Sequence, residues 1–171
     1  MRLSVENLPR QGRSFKLAND TEWAVAGAAI ALDVSPLAIT GEIRLVQENG
    51  GVRVTGQLDV SARIACARCG EGVAFSLHGA PDLVYRPVGE NLETDAEIDE
   101  ADLDVGWYEV GVDGGELSLE QVVCEAVALE VPPRIVCEDV AACDGRFASF
   151  KFEQAPPDAV ENPFSVLKNL R

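Results

Sequence analysis

From Val52 to Cys66 the chain alternates without losing phase. Val52, Val54, Leu58, Val60, Ala62, Ile64 and Cys66 fall on one side, and Arg53, Thr55, Gln57, Asp59, Ser61 and Arg63 on the other. A period of two sustained this long admits an extended strand with one buried face and little else. Such a strand needs partners, and the flanking sequence offers them. Upstream, Leu37, Ile39, Ile43 and Leu45 alternate with Thr40, Glu42 and Arg44, and "ENGG" from Glu48 to Gly51 supplies residues that tolerate a hairpin turn. Downstream, Val73, Phe75 and Leu77 alternate with Ala74, Ser76 and His78, and apolar character returns at Leu83 to Tyr85. The pattern predicts an antiparallel meander.

Helical signals are fewer. "LSLEQVVCEAVALEV" has Ser118 and Gln121 spaced as a capping box, with Leu119, Val122, Val123, Ala126, Val127 and Leu129 on one face and Pro132-Pro133 as a stop. "NDTEWAVAGAAIALDV" predicts a short helix with Asn19 or Asp20 as its cap, with a strand as the competing reading because of Gly27 and the β-branched residues. "LSVENL", "RSFKLA" and "VGWYEV" are expected as short strands, and "RFASFKF" as a further one after a loop containing "CEDVAACDG". In "ENPFSVLKNL", Asn162 and Pro163 mark the start of a last helix. The eight acidic residues between Gly89 and Asp104, with no basic one, predict a mobile loop. They lack the spacing of a calcium-binding EF-hand. The fold class expected is α+β: an antiparallel β-meander or partly closed sheet, packed by two or three short helices. A chain of 171 residues suits a single domain and needs no covalent staple.

Cysteine placement is the strongest chemical signal. Cys66 and Cys69 form C-x2-C with Gly70 behind, and Cys137 and Cys143 form C-x5-C with Gly145 close by. Four thiolates complete a tetrahedral structural zinc site. One pair is expected at a hairpin tip and the other in a loop released by the Pro-Pro stop, so both can be presented to an ion. Zinc affinity in small peptide sites, roughly 10–16 kcal/mol, would order such a loop. Two other readings stay open: a redox dithiol at Cys66 and Cys69, and reduced cysteines holding no ion. The dithiol reading is disfavoured, because a reactive C-x-x-C opens a helix and this one lies between strands. Cys124, inside the capped helix, reads as a small buried hydrophobe.

Charge narrows the partners. Fourteen basic residues stand against 29 acidic ones, a net charge of −15. Tight binding to bare nucleic acid relies on clustered cations, so direct RNA binding is expected to be weak, through a local patch such as Arg44, Arg53 and Arg63. A basic protein partner suits this surface better. The single histidine, His78, falls on the polar side of its strand. No phosphate loop or nucleophile elbow is present, so neither enzymatic activity nor a small-molecule substrate is expected. No apolar run approaches the ~20 residues that span a bilayer. The N-terminal stretch "MRLSVENLPRQGRSF" lacks a signal-peptide core. Those features lead to an expectation of a cytoplasmic protein with no membrane partner.

Taken in order, "CARCGEGVAFSL", the acidic stretch, "LSLEQVVCEAVALEVPPRIVC", the "CDG" turn and "ENPFSVLKNL" resemble the YceD-like family of large ribosomal RNA subunit accumulation proteins. The likeness covers about two-thirds of the chain, from Val52 onward. It implies a bacterial ribosome-biogenesis factor, with relatives in plastids, that supports accumulation or processing of large-subunit (23S) ribosomal RNA. It implies no known catalysis, and its partner would be a ribosomal protein or assembly factor. Cys66 and Cys69 match the family's first cysteine pair, and Cys137 and Cys143 the start of its second cluster. Cysteine-rich members continue after the glycine with further cysteines, whereas this chain reads "RFASFKF". Two alternatives remain: a zinc-stabilised interaction module unrelated to ribosomes, and a C-x-x-C thiol oxidoreductase.

Overall fold

The alternating run forms β4 (Gly51–Ala65), and the main sheet is built on it. The structure, a computed structural model, describes residues 1–48, 51–87, 105–108, 110–111 and 114–149. Strand β3 (Ala38–Glu48) pairs antiparallel along β4, from Ala38 opposite Ser61 to Glu48 opposite Gly51. On the other edge of β4 two strands lie end to end. β5 (Gly72–Gly79) pairs with Leu58 to Ala65, and β6 (Asp82–Pro87) with Val52 to Thr55. They share one register, broken only where Ala80 and Pro81 stand opposite Gln57 and Gly56 in turn. Proline has no amide hydrogen to give a ladder, so the break falls where the sequence cannot pair.

Strand β2 (Arg13–Leu17) continues the sheet antiparallel to β3, and β7 (Val105–Tyr108) adds to β6 in parallel. The sheet is mostly antiparallel and does not close, so the meander describes it and partial closure does not. A second, three-stranded sheet joins β1 (Arg2–Ser4), β9 (Gly114–Ser118) and β8 (Val110–Gly111). With three helices among the described residues, the class is α+β.

Burial follows the alternation. Val52, Val54, Leu58, Val60 and Ala62 are buried while Arg53, Gln57, Asp59 and Arg63 are exposed. Ile39, Ile43 and Leu45 of β3 and Leu77 of β5 join the same face. Each large aliphatic side chain buried this way contributes roughly 1.5–3 kcal/mol. Helices α1 (Glu22–Leu32) and α2 (Leu119–Glu130) contribute to that core through Ala24, Ala28 and Leu32, and through Leu119, Val122, Val123, Ala126 and Val127. Alanine and glycine on α1 let the helices approach closely. A β-carbon on Gly27 would collide with the Glu120 carbonyl oxygen of α2.

Several expectations need correction. The cap of α1 is Thr21, because the Asn19 side chain instead accepts the Ile39 amide at 2.8 Å. Ser118 caps α2 as expected, accepting the Gln121 amide at 3.4 Å. The Gln121 side chain does not complete the box and donates to Glu125 at 2.9 Å. Leu129 and Leu37 are exposed rather than part of the apolar faces. Helix α3 (Val140–Ser149) replaces both the loop at "CEDVAACDG" and the start of the strand expected at "RFASFKF". Asp139 starts it, its carboxylate accepting the Ala142 amide at 2.9 Å and its carbonyl the Cys143 amide at 3.0 Å. The acidic stretch at 89–104 and the helix expected from Asn162 lie outside the described residues. The chain divides into two compact units, Met1–Cys137 and Glu138–Arg171.

Candidate metal centre

β4 ends at Ala65 and β5 starts at Gly72, so the ladder delivers Cys66 and Cys69 to a hairpin tip. The turn between them is tight. The Gly70 amide donates to the Cys66 carbonyl at 2.9 Å, and the Cys66 amide to the Glu71 carbonyl at 2.8 Å. Gly70 has φ +74°, a left-handed conformation that β-carbons disfavour, which is why glycine follows the second cysteine. That turn directs amides at sulfur, the Arg68 N–H donating to Cys66 Sγ at 3.4 Å.

The third sulfur comes from the segment after α2. Pro132 and Pro133 follow the helix end at Val131, and the chain then runs across the hairpin tip as a strap. The Ala67 amide donates to the Ile135 carbonyl at 2.8 Å, which fixes strap and hairpin together. Cys137 Sγ thereby lies 3.6 Å from Cys69 Sγ. The sulfurs of Cys66, Cys69 and Cys137 all fall within 4.8 Å of one another. Four thiolates bonded to zinc at about 2.3 Å stand about 3.8 Å apart at tetrahedral angles, so these three already outline one face of such a site. Cys143 lies on the first turn of α3, in the second compact unit.

Electrostatics favour thiolate. The Cys66 thiol is lowered to about 6, first by the Cys69 amide and also by the Arg68 amide and by Cys137, against a burial that pushes it up. Those N–H groups stabilise charge on sulfur as they would on a metal-bound thiolate. Cys124 behaves in the opposite way: half-buried on α2, its thiol is pushed up by burial and by the neighbouring Glu125 and Glu120. It does not belong to the sulfur group.

The remaining candidates fall where their phase put them. His78 is exposed opposite Asp59, with Nδ1 2.7 Å from the carboxylate. Arg53 is gripped by Asp82 through two 2.7 Å hydrogen bonds and lies 3.5 Å from Glu48, and Arg44 donates to the Gln11 carbonyl at 2.7 Å. The arginine patch is therefore largely spent on internal partners. Two features escaped the sequence reading. One is the clasp from Ala67 to Ile135, which no side-chain pattern signals. The other is a buried Tyr85 hydroxyl donating to Glu125 at 2.6 Å, which ties β6 to α2. Among the described residues no helix is long and apolar enough to cross a membrane.

The described residues thus make an α+β fold whose β4–β5 hairpin ends in a cysteine turn clasped beside a third cysteine, a sulfur group that could hold a metal ion. The family model described as large ribosomal RNA subunit accumulation protein YceD matches residues 54–171, and the chain belongs to the YceD family. No curated protein and no solved structure gives a match.

Proposed function

We propose that this protein is a non-catalytic cytoplasmic factor that supports accumulation of large-subunit ribosomal RNA by contacting a basic ribosomal protein or assembly factor. The observation that carries the reading is the family match, which spans the cysteine hairpin, the capped helix α2 and the strap. The family's name, large ribosomal RNA subunit accumulation protein, supports the choice of RNA. The mode of action rests on charge: at −15 the chain suits a cationic protein surface better than phosphate, and Arg53 and Arg44 are already engaged. Deleting the gene and measuring the ratio of large- to small-subunit RNA tests the role. A fall restored by the intact gene is expected, and an unchanged ratio refutes it. Affinity capture with the purified chain tests the mode. Recovery of basic ribosomal or assembly proteins supports it, and recovery of non-ribosomal partners alone favours the unrelated interaction module.

The metal belongs to the same proposal. Cys66, Cys69 and Cys137 would hold a zinc ion with Cys143 as the fourth ligand, and the ion's task would be shape. Five residues separate Cys137 from Cys143, a span of at most about 20 Å when extended, so the chain itself keeps the fourth thiol within reach. Elemental analysis should find one zinc per chain, and cobalt substitution should give the absorption of tetrahedral thiolate ligation. Serine at any of the four positions should lower the zinc content, whereas Cys124→Ser should not.

A further inference from the structure

The clasp between hairpin and strap brings together two sulfurs able to react with each other. Cys69 Sγ and Cys137 Sγ are 3.6 Å apart, in van der Waals contact, against the about 2.05 Å of a disulfide bond. The segments that carry them are joined two residues before each cysteine, by the hydrogen bond from Ala67 to Ile135. Bond formation therefore starts from two sulfurs already in contact. The Cys66 sulfur, which accepts the Arg68 amide at 3.4 Å, belongs to the same sulfur group and also meets Cys137, so it is the competing partner. The two reactive positions are 68 residues apart in sequence, so a bond between them would close a large loop and fix the strap covalently.

We propose that Cys69 and Cys137 form a peroxide-dependent disulfide that replaces the metal as the tie between hairpin and strap. The proposal rests on the zinc reading, because the bound ion is what withholds both sulfurs from oxidation. Once zinc has left as the aqueous ion, one thiolate attacks hydrogen peroxide, breaking the O–O bond to give a sulfenic acid and hydroxide. The second thiolate then attacks the sulfenic sulfur, forming the S–S bond and expelling a second hydroxide. Two electrons pass from the two sulfurs to one peroxide. A dithiol reductant reverses the step by thiol–disulfide exchange.

The test uses the full chain, zinc-loaded and zinc-stripped, treated with hydrogen peroxide and mapped by mass spectrometry without reduction. Cleavage after Arg68 parts Cys66 from Cys69, and cleavage after Glu138 parts Cys137 from Cys143, so every pairing can be told apart. In stripped protein the expected product links Cys69 to Cys137, and serine at either position removes it while Cys66→Ser leaves it. With saturating zinc the link should form more than about tenfold more slowly, since only the ion-free fraction reacts. A dominant link between Cys66 and Cys137 or between any other two of these cysteines, or oxidation without cross-linking, overturns the proposal. Equal rates with and without bound zinc overturn the gating. A chain that binds no zinc yet cross-links Cys69 to Cys137 refutes the metal centre alone, so the two failures stay distinct.

Discussion

Replacing Gly27 with alanine puts two well-measured effects in opposition. In an isolated helix the change is favourable by about 0.8–1.0 kcal/mol, because glycine gives up more backbone freedom than alanine. Here the added methyl would stand inside contact distance of the Glu120 carbonyl oxygen, 3.0 Å from Val123 Cβ and 3.1 Å from the Cys124 amide nitrogen. The nearest obstacle is backbone, so no rotamer change relieves it and the helices must part by on the order of 1 Å. Overpacking of that kind costs about 1–3 kcal/mol, and with backbone on both sides the upper half applies. The net expectation is a loss of about 1–2 kcal/mol. With a urea slope of about 2 kcal/mol per molar, the unfolding midpoint should fall by roughly 0.5–1 M at unchanged slope. Ile30→Ala on the exposed side of the same helix serves as control and should stay within about 0.5 kcal/mol. A Gly27→Ala midpoint equal to or above the parent would show that propensity outweighs packing, and the close helix contact would be refuted.

Tyr85→Phe removes the hydroxyl that Glu125 accepts while Gln121 still donates to that carboxylate. A loss of about 1–2 kcal/mol is expected in the same urea assay, and a neutral result would mean that the link between β6 and α2 contributes nothing. The Asp82 carboxyl is held below its ordinary value by hydrogen bonding to Arg53 and by the guanidinium charge. Its stabilising effect is thus present above the ordinary carboxylate pKa and fades as pH falls through the depressed one. A carboxyl NMR titration should show Asp82 titrating low in the parent and normally in Arg53→Met; equal values would contradict the pairing. Gly70→Ala forces a β-carbon into a left-handed conformation and should cost about 1–2 kcal/mol with weaker zinc retention, read by melting with and without chelator. Chelating zinc from the parent should itself lower Tm, because a ligand bound only by the folded state stabilises it, by about 4 kcal/mol at a thousandfold excess over Kd. An unchanged Tm would argue against a structural ion.

The central strands could be read from the chain because period-two burial is a local property: each residue of β4 reports its own face. The cysteine hairpin was readable for the same reason, since two alternating runs flank a glycine-rich turn. Side chains with a distant partner were not. Asn19 looks like a helix cap until β3 offers an amide, and Leu129 keeps the phase of α2 but falls beyond the surface its neighbours cover. Helix α3 was missed because Asp144-Gly145 is a turn signature and glycine disfavours helix, whereas the start supplied by Asp139 lies inside what read as loop. The strap was invisible for a different reason: its attachment is made by a carbonyl, and carbonyls are the same in every residue.

The end-to-end placement of β5 and β6 along β4 works as a ruler. Extending the β4–β5 hairpin by one residue in each strand would carry the cysteine turn outward by about 3.3 Å and rotate it to the opposite face; two in each would move it twice as far with its orientation preserved. Neither change would disturb β6, whose register with β4 lies beyond the interruption at Pro81. The strap would not follow, since its length is set by where α2 stops. Insertions in this hairpin are therefore tolerable only in even steps and only with matching growth after Pro133, which ties the evolution of two segments far apart in the chain.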